Sequence, residues 1–202
     1  MLDMLAGASG ERLLGDAYWA DFEEHFWRVG PPGFWKLERL QEFLEPNDDS
    51  WVASSEGDWR KSFALLEQRR ESLRQHYDRI RAHGFETWRI RVVERPLTDY
   101  MCWELRLLLL RDELGGYTRV IDSGKVKQFE AHGVLPELIT LGDDVMYELL
   151  YDDNGLQQGG IRYSQRELVV RCREFIQGLY HGGEAIRDYI TREGLLAEPE
   201  QR

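Results

Sequence analysis

Residues 88–104 read Trp-Arg-Ile-Arg-Val-Val-Glu-Arg-Pro-Leu-Thr-Asp-Tyr-Met-Cys-Trp-Glu, and they constrain the fold more than any other stretch. Alternation and β-branched residues make the first seven a strand. Its period of two sends Arg89, Arg91 and Val93 to one side and Trp88, Ile90 and Val92 to the other. Pro96 has no N–H for a ladder and ends the strand. Thr98 or Asp99 can then cap a helix that runs to about Leu114, where Gly115-Gly116 stops it. On that helix Tyr100, Glu104, Leu107/Leu108 and Arg111 share a face, beside an apolar stripe of Leu97, Met101, Leu105 and Leu108. Asp99 and Trp103 are i,i+4 neighbours.

The rest of the chain alternates element types. Tyr18, Phe22 and Phe26 recur every four residues on a helix that Asp16 can cap and that Gly30-Pro31-Pro32-Gly33 ends. Residues 34–40 read as a short strand. Trp59, Phe63, Leu66, Leu73, Tyr77 and Ile80 form the clearest helical stripe, which Arg70 interrupts, Asp58 or Ser55 starts and Gly84 stops. A strand at 117–122 and an irregular stretch at 123–135 follow. Residues 145–151 and about 160–163 make a hairpin about Asp153-Asn154-Gly155, because Asn-Gly tolerates positive φ at both central positions. Ser164 and Glu167 form a capping box for a last helix reaching Gly182-Gly183, with a shorter helical tail to Tyr189 or Ile190.

Early alternation and a late hairpin imply an α+β fold: a mixed, mostly antiparallel sheet with helices packed on it. The expected division is a loose N-terminus at 1–15, a single domain at 16–190 with an N-terminal helical arm, and a polar C-terminal tail at 191–202. The chain's 202 residues suit one domain, and 42% hydrophobic residues suffice for a core.

A net charge of −11 repels phosphate backbones, which disfavours general nucleic-acid binding. Cys102 and Cys172 have neither CxxC nor Cys/His spacing, so they carry no zinc signature and read as free thiols of a reducing compartment. No basic-then-apolar leader opens the chain, and the longest pure apolar run, 107–110, is too short to span a bilayer. A soluble cytoplasmic protein with no membrane association is the expectation.

The charged residues of the 88–104 segment are the candidate site. Helix N-termini favour anions, so Arg91 and the free N–H groups near residues 97–100 could hold a carboxylate or phosphate. Asp99, Tyr100, Trp103 and Glu104 would complete the pocket. The plainer reading makes Asp99 a helix cap and Arg91–Glu104 a partly buried ion pair fixing strand–helix register, and residue types alone favour it.

Other constellations carry less. Asp152-Asp153-Asn154-Gly155 lacks the ligand spacing and closing glutamate of a calcium loop, and turn chemistry explains it, so no metal is expected. The five histidines never fall at HxxxH or HExxH spacing, and no nucleotide fingerprint exists. Arg60, Lys61, Arg69, Arg74 and Arg81 read as a solvated helix face. Trp35 and Trp51, in less regular stretches, are candidates for a pocket or a partner surface.

Phe34-Trp-Lys-Leu-Glu-Arg-Leu40, the run Arg91-Val-Val-Glu-Arg-Pro-Leu-Thr-Asp-Tyr100 with Glu104, and residues 141–155 with Gly159, Val169 and Cys172 resemble a family of uncharacterised actinobacterial proteins, a domain of unknown function. The resemblance covers roughly residues 20–190, and its Pro-Leu-Thr-Asp-Tyr motif is the most specific part. It implies a regulatory or ligand-sensing role, since members are often encoded beside helix-turn-helix regulators. The terminal strand–turn–strand–helix block is also similar to the ends of phospholipase-D-like sensor domains, but no HxK motif is present. The His181-Gly-Gly183 stretch departs from the family.

Two functional expectations follow. One is a non-catalytic domain that binds a small molecule or protein partner at Arg91, Asp99, Tyr100, Trp103 and Glu104, without a cofactor; a homodimer is compatible with it. The other is a group-transfer enzyme of specialised metabolism acting on a small amine or carboxylate, with Glu104 or Asp99 as base and Arg91 as anion clamp. An aminoacyl-tRNA donor fits the second, against the adverse charge.

Overall fold

A computed structural model describes residues 5–195. Among them, eight strands form one sheet: β1 (Glu11–Leu14), β2 (Phe34–Glu38), β3 (Thr87–Val93), β4 (Gly116–Asp122), β5 (Leu138–Leu141), β6 (Val145–Tyr151), β7 (Gln157–Tyr163) and β8 (Glu184–Ala185). Their order is β1-β7-β6-β5-β2-β3-β4-β8. Only β2–β3 and β3–β4 are parallel; the other five pairings are antiparallel. The mixed, mostly antiparallel α+β domain is therefore the observed fold.

Eight helices accompany the sheet: α1 (Asp16–Phe26), α2 (Asp49–Ser55), α3 (Trp59–Gln68), α4 (Arg70–Ala82), α5 (Asp99–Leu114), α6 (Ser123–Val126), α7 (Arg166–Gly182) and α8 (Ile186–Arg192). They make two layers. On one face α5 lies over β4, with α2, α3, α4 and α8 packed around it, while α1 lies over β1 and β7 at the other end. On the opposite face α7 spans the sheet from β4 to β6 and covers Leu37, Ile90, Val92 and Met146.

α5 explains its own position. Ten of its sixteen residues are buried and apolar side chains occur all round it, so it forms only when enclosed on all sides. Burying each such side chain contributes about 1.5–3 kcal/mol. Thr98 caps it by accepting from Met101 N, and Gly115, with φ 116°, closes it in the left-handed region. α1, the N-terminal helical arm, sets its aromatic stripe on the sheet. Tyr18 meets Tyr147 edge-on at 5.4 Å, and Phe26 meets Phe34 at 5.8 Å.

Several local expectations are corrected. Glu11–Leu14, expected in the loose N-terminus, pairs with β7, because Gly159 and Gly160 offer a strand edge without side chains. Gly15, not Asp16, is the α1 N-cap, and Asp16 is the first helical residue. The 59–83 helix breaks at Arg69, which closes α3 and opens α4 while its guanidinium forks onto Asp48. Gln165, not Ser164, precedes α7, with no side-chain cap. In the hairpin's loop only Gly155 has positive φ, because the connection is a five-residue loop organised by Asp152. The 123–135 stretch contains α6 and a 3₁₀ turn, and α8 reaches Arg192. Residues 196–202 of the polar tail, and residues 1–4, lie outside the described residues.

Gly159 adopts φ 153°, and a Cβ there would stand 2.1 Å from the Leu13 carbonyl oxygen. Gly159→Ala is expected to destabilise the domain by more than about 1 kcal/mol in urea unfolding. Gly178→Ala, in open space inside α7, is expected to stabilise it by roughly 0.5–1 kcal/mol.

Candidate functional site

The two layers differ in what the sheet offers them. Towards α7, β2 and β3 present Trp35, Leu37, Ile90 and Val92. Towards α5 they present Lys36, Glu38, Arg89 and Arg91, placed side by side by the register Lys36↔Arg89 and Glu38↔Arg91. A face that is covered yet charged must satisfy its ions internally, since a buried unpaired charge costs several kcal/mol.

Arg91 is 0% exposed, and each of its guanidinium nitrogens has a partner. Its Nε donates to Glu104 Oε2 at 2.6 Å, Nη1 to the Val92 and Glu38 carbonyls at 3.1 and 3.4 Å, and Nη2 to Met101 Sδ at 2.8 Å. The ion pair expected between Arg91 and Glu104 is thus present, and it ties β3 to α5. It also removes Arg91 from service as an anion clamp, because no guanidinium N–H faces open space. Asp99 is likewise not in the site: it is exposed in the first turn of α5, and Thr98 does the capping.

Tyr100, Trp103 and Glu104, by contrast, line a cavity of about 370 Å³ between α5 and the sheet, within the roughly 300–1,000 Å³ of small-molecule sites. Lys36, Glu38 and Arg89 form its floor, Arg111 stands further along α5, the 43–48 loop makes one wall, and Trp19 of α1 stands at the rim. Trp19 is 54% exposed. Trp35 and Trp51 do not line it; Trp35 stacks on Trp88 at 4.5 Å on the α7 side.

Glu38 is the centre of the floor, and only 3% of it is exposed. Its Oε1 accepts from Lys36 Nζ at 2.6 Å and from Arg89 Nη1. Its Oε2 is buried without a hydrogen-bond partner among the described residues, as is Nε of Arg111. Burial alone would raise the Glu38 carboxyl, but Arg89, Lys36 and Arg91 together hold it well below the usual carboxylate range. Glu104 goes the other way. Burial, reinforced by the negative charge of Glu38, raises it despite Arg91. The Tyr100 hydroxyl donates to Glu104 Oε1 at 3.3 Å, and burial with the nearby carboxylates keeps that phenol protonated well above its ordinary range.

The wall is braced from outside. Asp48 caps α2 by accepting from Ser50 N and Trp51 N, and Arg69 binds both its oxygens at 2.6 Å. Ser50 Oγ accepts from Trp103 Nε1 at 3.0 Å, so the wall is pinned to α5. Gln41 donates to the Val92 carbonyl and accepts from Glu94 N, holding the loop to the end of β3. Sequence reasoning missed Lys36, Glu38, Arg89 and Arg111 as a group. The available signal was the Lys36/Glu38 alternation beside Arg89/Arg91, two charged stripes on adjacent strands.

The fold and cavity define a single α+β domain with a charged recess on a covered sheet face. Residues 20–191 match a family model described as "Domain of unknown function (DUF6879)", and the chain belongs to that family. Among curated proteins none matches.

Arg91→Met and Glu104→Leu are each expected to cost about 3–5 kcal/mol, and the double variant clearly less than their sum, in a double-mutant cycle of urea unfolding. A second expectation concerns Glu137, which accepts from Arg39 N and from Leu40 N at 2.7 Å. Burial, with Glu38 nearby, pushes its carboxyl from 4.5 up to about 7. The folded protein therefore holds this proton more tightly than the unfolded chain. Its contribution is complete below the unfolded value and is lost as pH rises through about 7. Glu137→Gln keeps an acceptor oxygen for both amides. Between about pH 5 and 7 the wild type should lose stability relative to this variant, by at most ~1.4 kcal/mol per pH unit.

Proposed function

We propose that this domain is a cytoplasmic regulatory or ligand-sensing module that binds a small polar molecule in the cavity over β2, without turning it over. The observation that carries the reading is a set of buried polar atoms without a hydrogen-bond partner among the described residues, all on side chains bordering one recess: Glu38 Oε2 and Arg111 Nε, with Gln157 Nε2 as a third. Leaving such groups unsatisfied costs about 1–3 kcal/mol each, and a ligand that pairs them regains it. The preformed wall supports the same reading, since bracing through Asp48, Arg69, Ser50 and Trp103 lowers the ordering cost of binding. Cys102 and Cys172 are not joined in a disulfide, which accords with a reducing compartment. The reading carries with it an actinobacterial host and a gene beside a helix-turn-helix regulator.

One observation favours a second reading, a group-transfer enzyme. Glu38 is pushed down and Glu104 up, a division that suits acid–base work. Arg91 and Asp99 do not serve it, so the anion-holding role passes to Lys36, Arg89 and Arg111. Docking of a tRNA through the helical basic face gains little support. Arg69, Arg74 and Arg81 are each paired with Asp48, Glu71 or Asp78.

A thermal-shift screen of polar metabolites against the purified chain should yield stabilising ligands, with the shift abolished by Arg111→Ala and the ligand recovered chemically unchanged. Catalytic consumption of a ligand would replace this reading with the enzymatic one. A screen without any Arg111-dependent ligand would remove both.

A further inference from the structure

We infer that the cavity takes a dipolar ligand, one with a carboxylate or similar anion at one end and an amine at the other. The inference rests on the ligand-binding reading above and adds the chemical class. β3 and β4 are parallel neighbours joined by α5, and Thr87 pairs with Gly116, so α5 runs back antiparallel to both strands. Glu104 is bonded to Arg91 in the C-terminal half of β3. Arg111, seven residues later on α5, stands about 10 Å further along the helix axis, towards the start of β3. On the sheet, Lys36 and Arg89 likewise precede Glu38 and Arg91 by one pleat repeat, about 7 Å. The recess is therefore polarised along its length. Arg111 stands at one end, and Glu38, Glu104 and the rim residue Glu45 at the other, where the charged heads of Lys36 and Arg89 are drawn onto Glu38.

Occupancy of the existing bonds sharpens this. Lys36 and Arg89 converge on a single oxygen of Glu38, leaving Oε2 as the acceptor for an incoming N–H. Arg111 Nε is the matching donor without an acceptor. A simple anion would answer Arg111 and leave Glu38 Oε2 buried and bare. A simple amine would do the reverse. One molecule with both groups, spaced on the order of 7–10 Å apart, answers both.

The test is isothermal titration and NMR titration of the full chain with three probes: 6-aminohexanoate, hexanoate and hexylamine. The first should bind at least about tenfold more tightly than either monofunctional probe, since each charge-assisted hydrogen bond contributes on the order of a tenfold or greater gain. Arg111→Gln should abolish the advantage over hexylamine. Glu45→Gln, at an exposed rim position, should reduce the advantage over hexanoate while leaving the fold intact; Glu38→Gln should do so more strongly if it folds. Hexanoate binding as tightly as 6-aminohexanoate would show an anion site, hexylamine doing so would show a cation site, and either outcome overturns the dipolar class. Binding of 6-aminohexanoate that ignores both Arg111→Gln and Glu45→Gln, or no binding of any probe, overturns it as well. In all these cases the ligand-binding reading stands or falls separately, on the metabolite screen.

Discussion

Charge desolvation under α5 is the constraint on which the rest of this structure depends. Arg91, with no exposed surface, sits beneath a buried helix, and its cost is offset only by groups brought from three directions. Glu104 comes from α5, the Glu38 carbonyl from β2 and the Val92 carbonyl from β3 itself. Each of those partners fixes a different relation: helix to sheet, strand to strand, and the exit angle of β3. A one-residue slip of β3 would turn Arg89 and Arg91 into the apolar layer under α7 and bring Ile90 and Val92 against Glu104. Register is specified here by the penalty on the wrong answer as much as by the contacts of the right one. A wholly apolar sheet face would hold α5 at least as firmly. Retention of four charges in this place is therefore poorly explained by stability and well explained by a recess that needs them.

The charges also divide labour within the recess. Arg91 and Glu104 satisfy one another and carry the architecture, whereas Glu38 is shared by Lys36 and Arg89 through one oxygen and keeps the other. The wall extends the same logic outward. Asp48 could cap α2 alone, yet it also receives Arg69 at the break between α3 and α4, and Ser50 at the start of α2 receives Trp103. The position of α2–α4 is thus transmitted to α5 through polar bonds at the cavity edge. A ligand pressing on Trp103 or Glu104 would load this chain of bonds, which would give the proposed regulatory role a physical route from recess to outer helices.

The strand–proline–helix unit was legible in the sequence because each of its signals is local. The alternation of 88–93, the missing N–H of Pro96, the cap at Thr98 and the Gly115-Gly116 stop depend on neighbours within a few residues. The Arg91–Glu104 pair was legible for the same reason, since one strand and one helix joined by a short turn can place few other residues together. What escaped is what depends on pairing across distance. Lys36 and Glu38 gain their meaning only from lying beside Arg89 and Arg91, fifty residues away in the chain, and parallel pairing leaves no hairpin signature between them. Strand β1 escaped because its edge is made by Gly159 and Gly160, whose absent side chains read as a turn signal. Asp99 invites two readings because an acid at a helix start satisfies both a capping rule and a site rule; here Thr98 takes the cap and Asp99 is exposed.

The location of the recess follows from how the chain is divided over the sheet. β2 is where the sheet changes character, with a parallel neighbour in β3 and an antiparallel one in β5. On the parallel side the crossover helix α5 must lie over β4 and β3, because it joins them. On the antiparallel side hairpin connections bring no helix, and cover is supplied by α1 lying over β1 and β7. Two helices placed by unrelated requirements leave a seam between them, and β2 runs along its floor. Apolar residues there would meet water through the seam, and fully exposed ions would need no partners. Lys36 and Glu38 are the intermediate solution, mostly buried at the base of the opening and paired with one another, with Arg89 joining them on Glu38. The cavity is therefore a consequence of mixed sheet topology, and its charge is a consequence of being a seam.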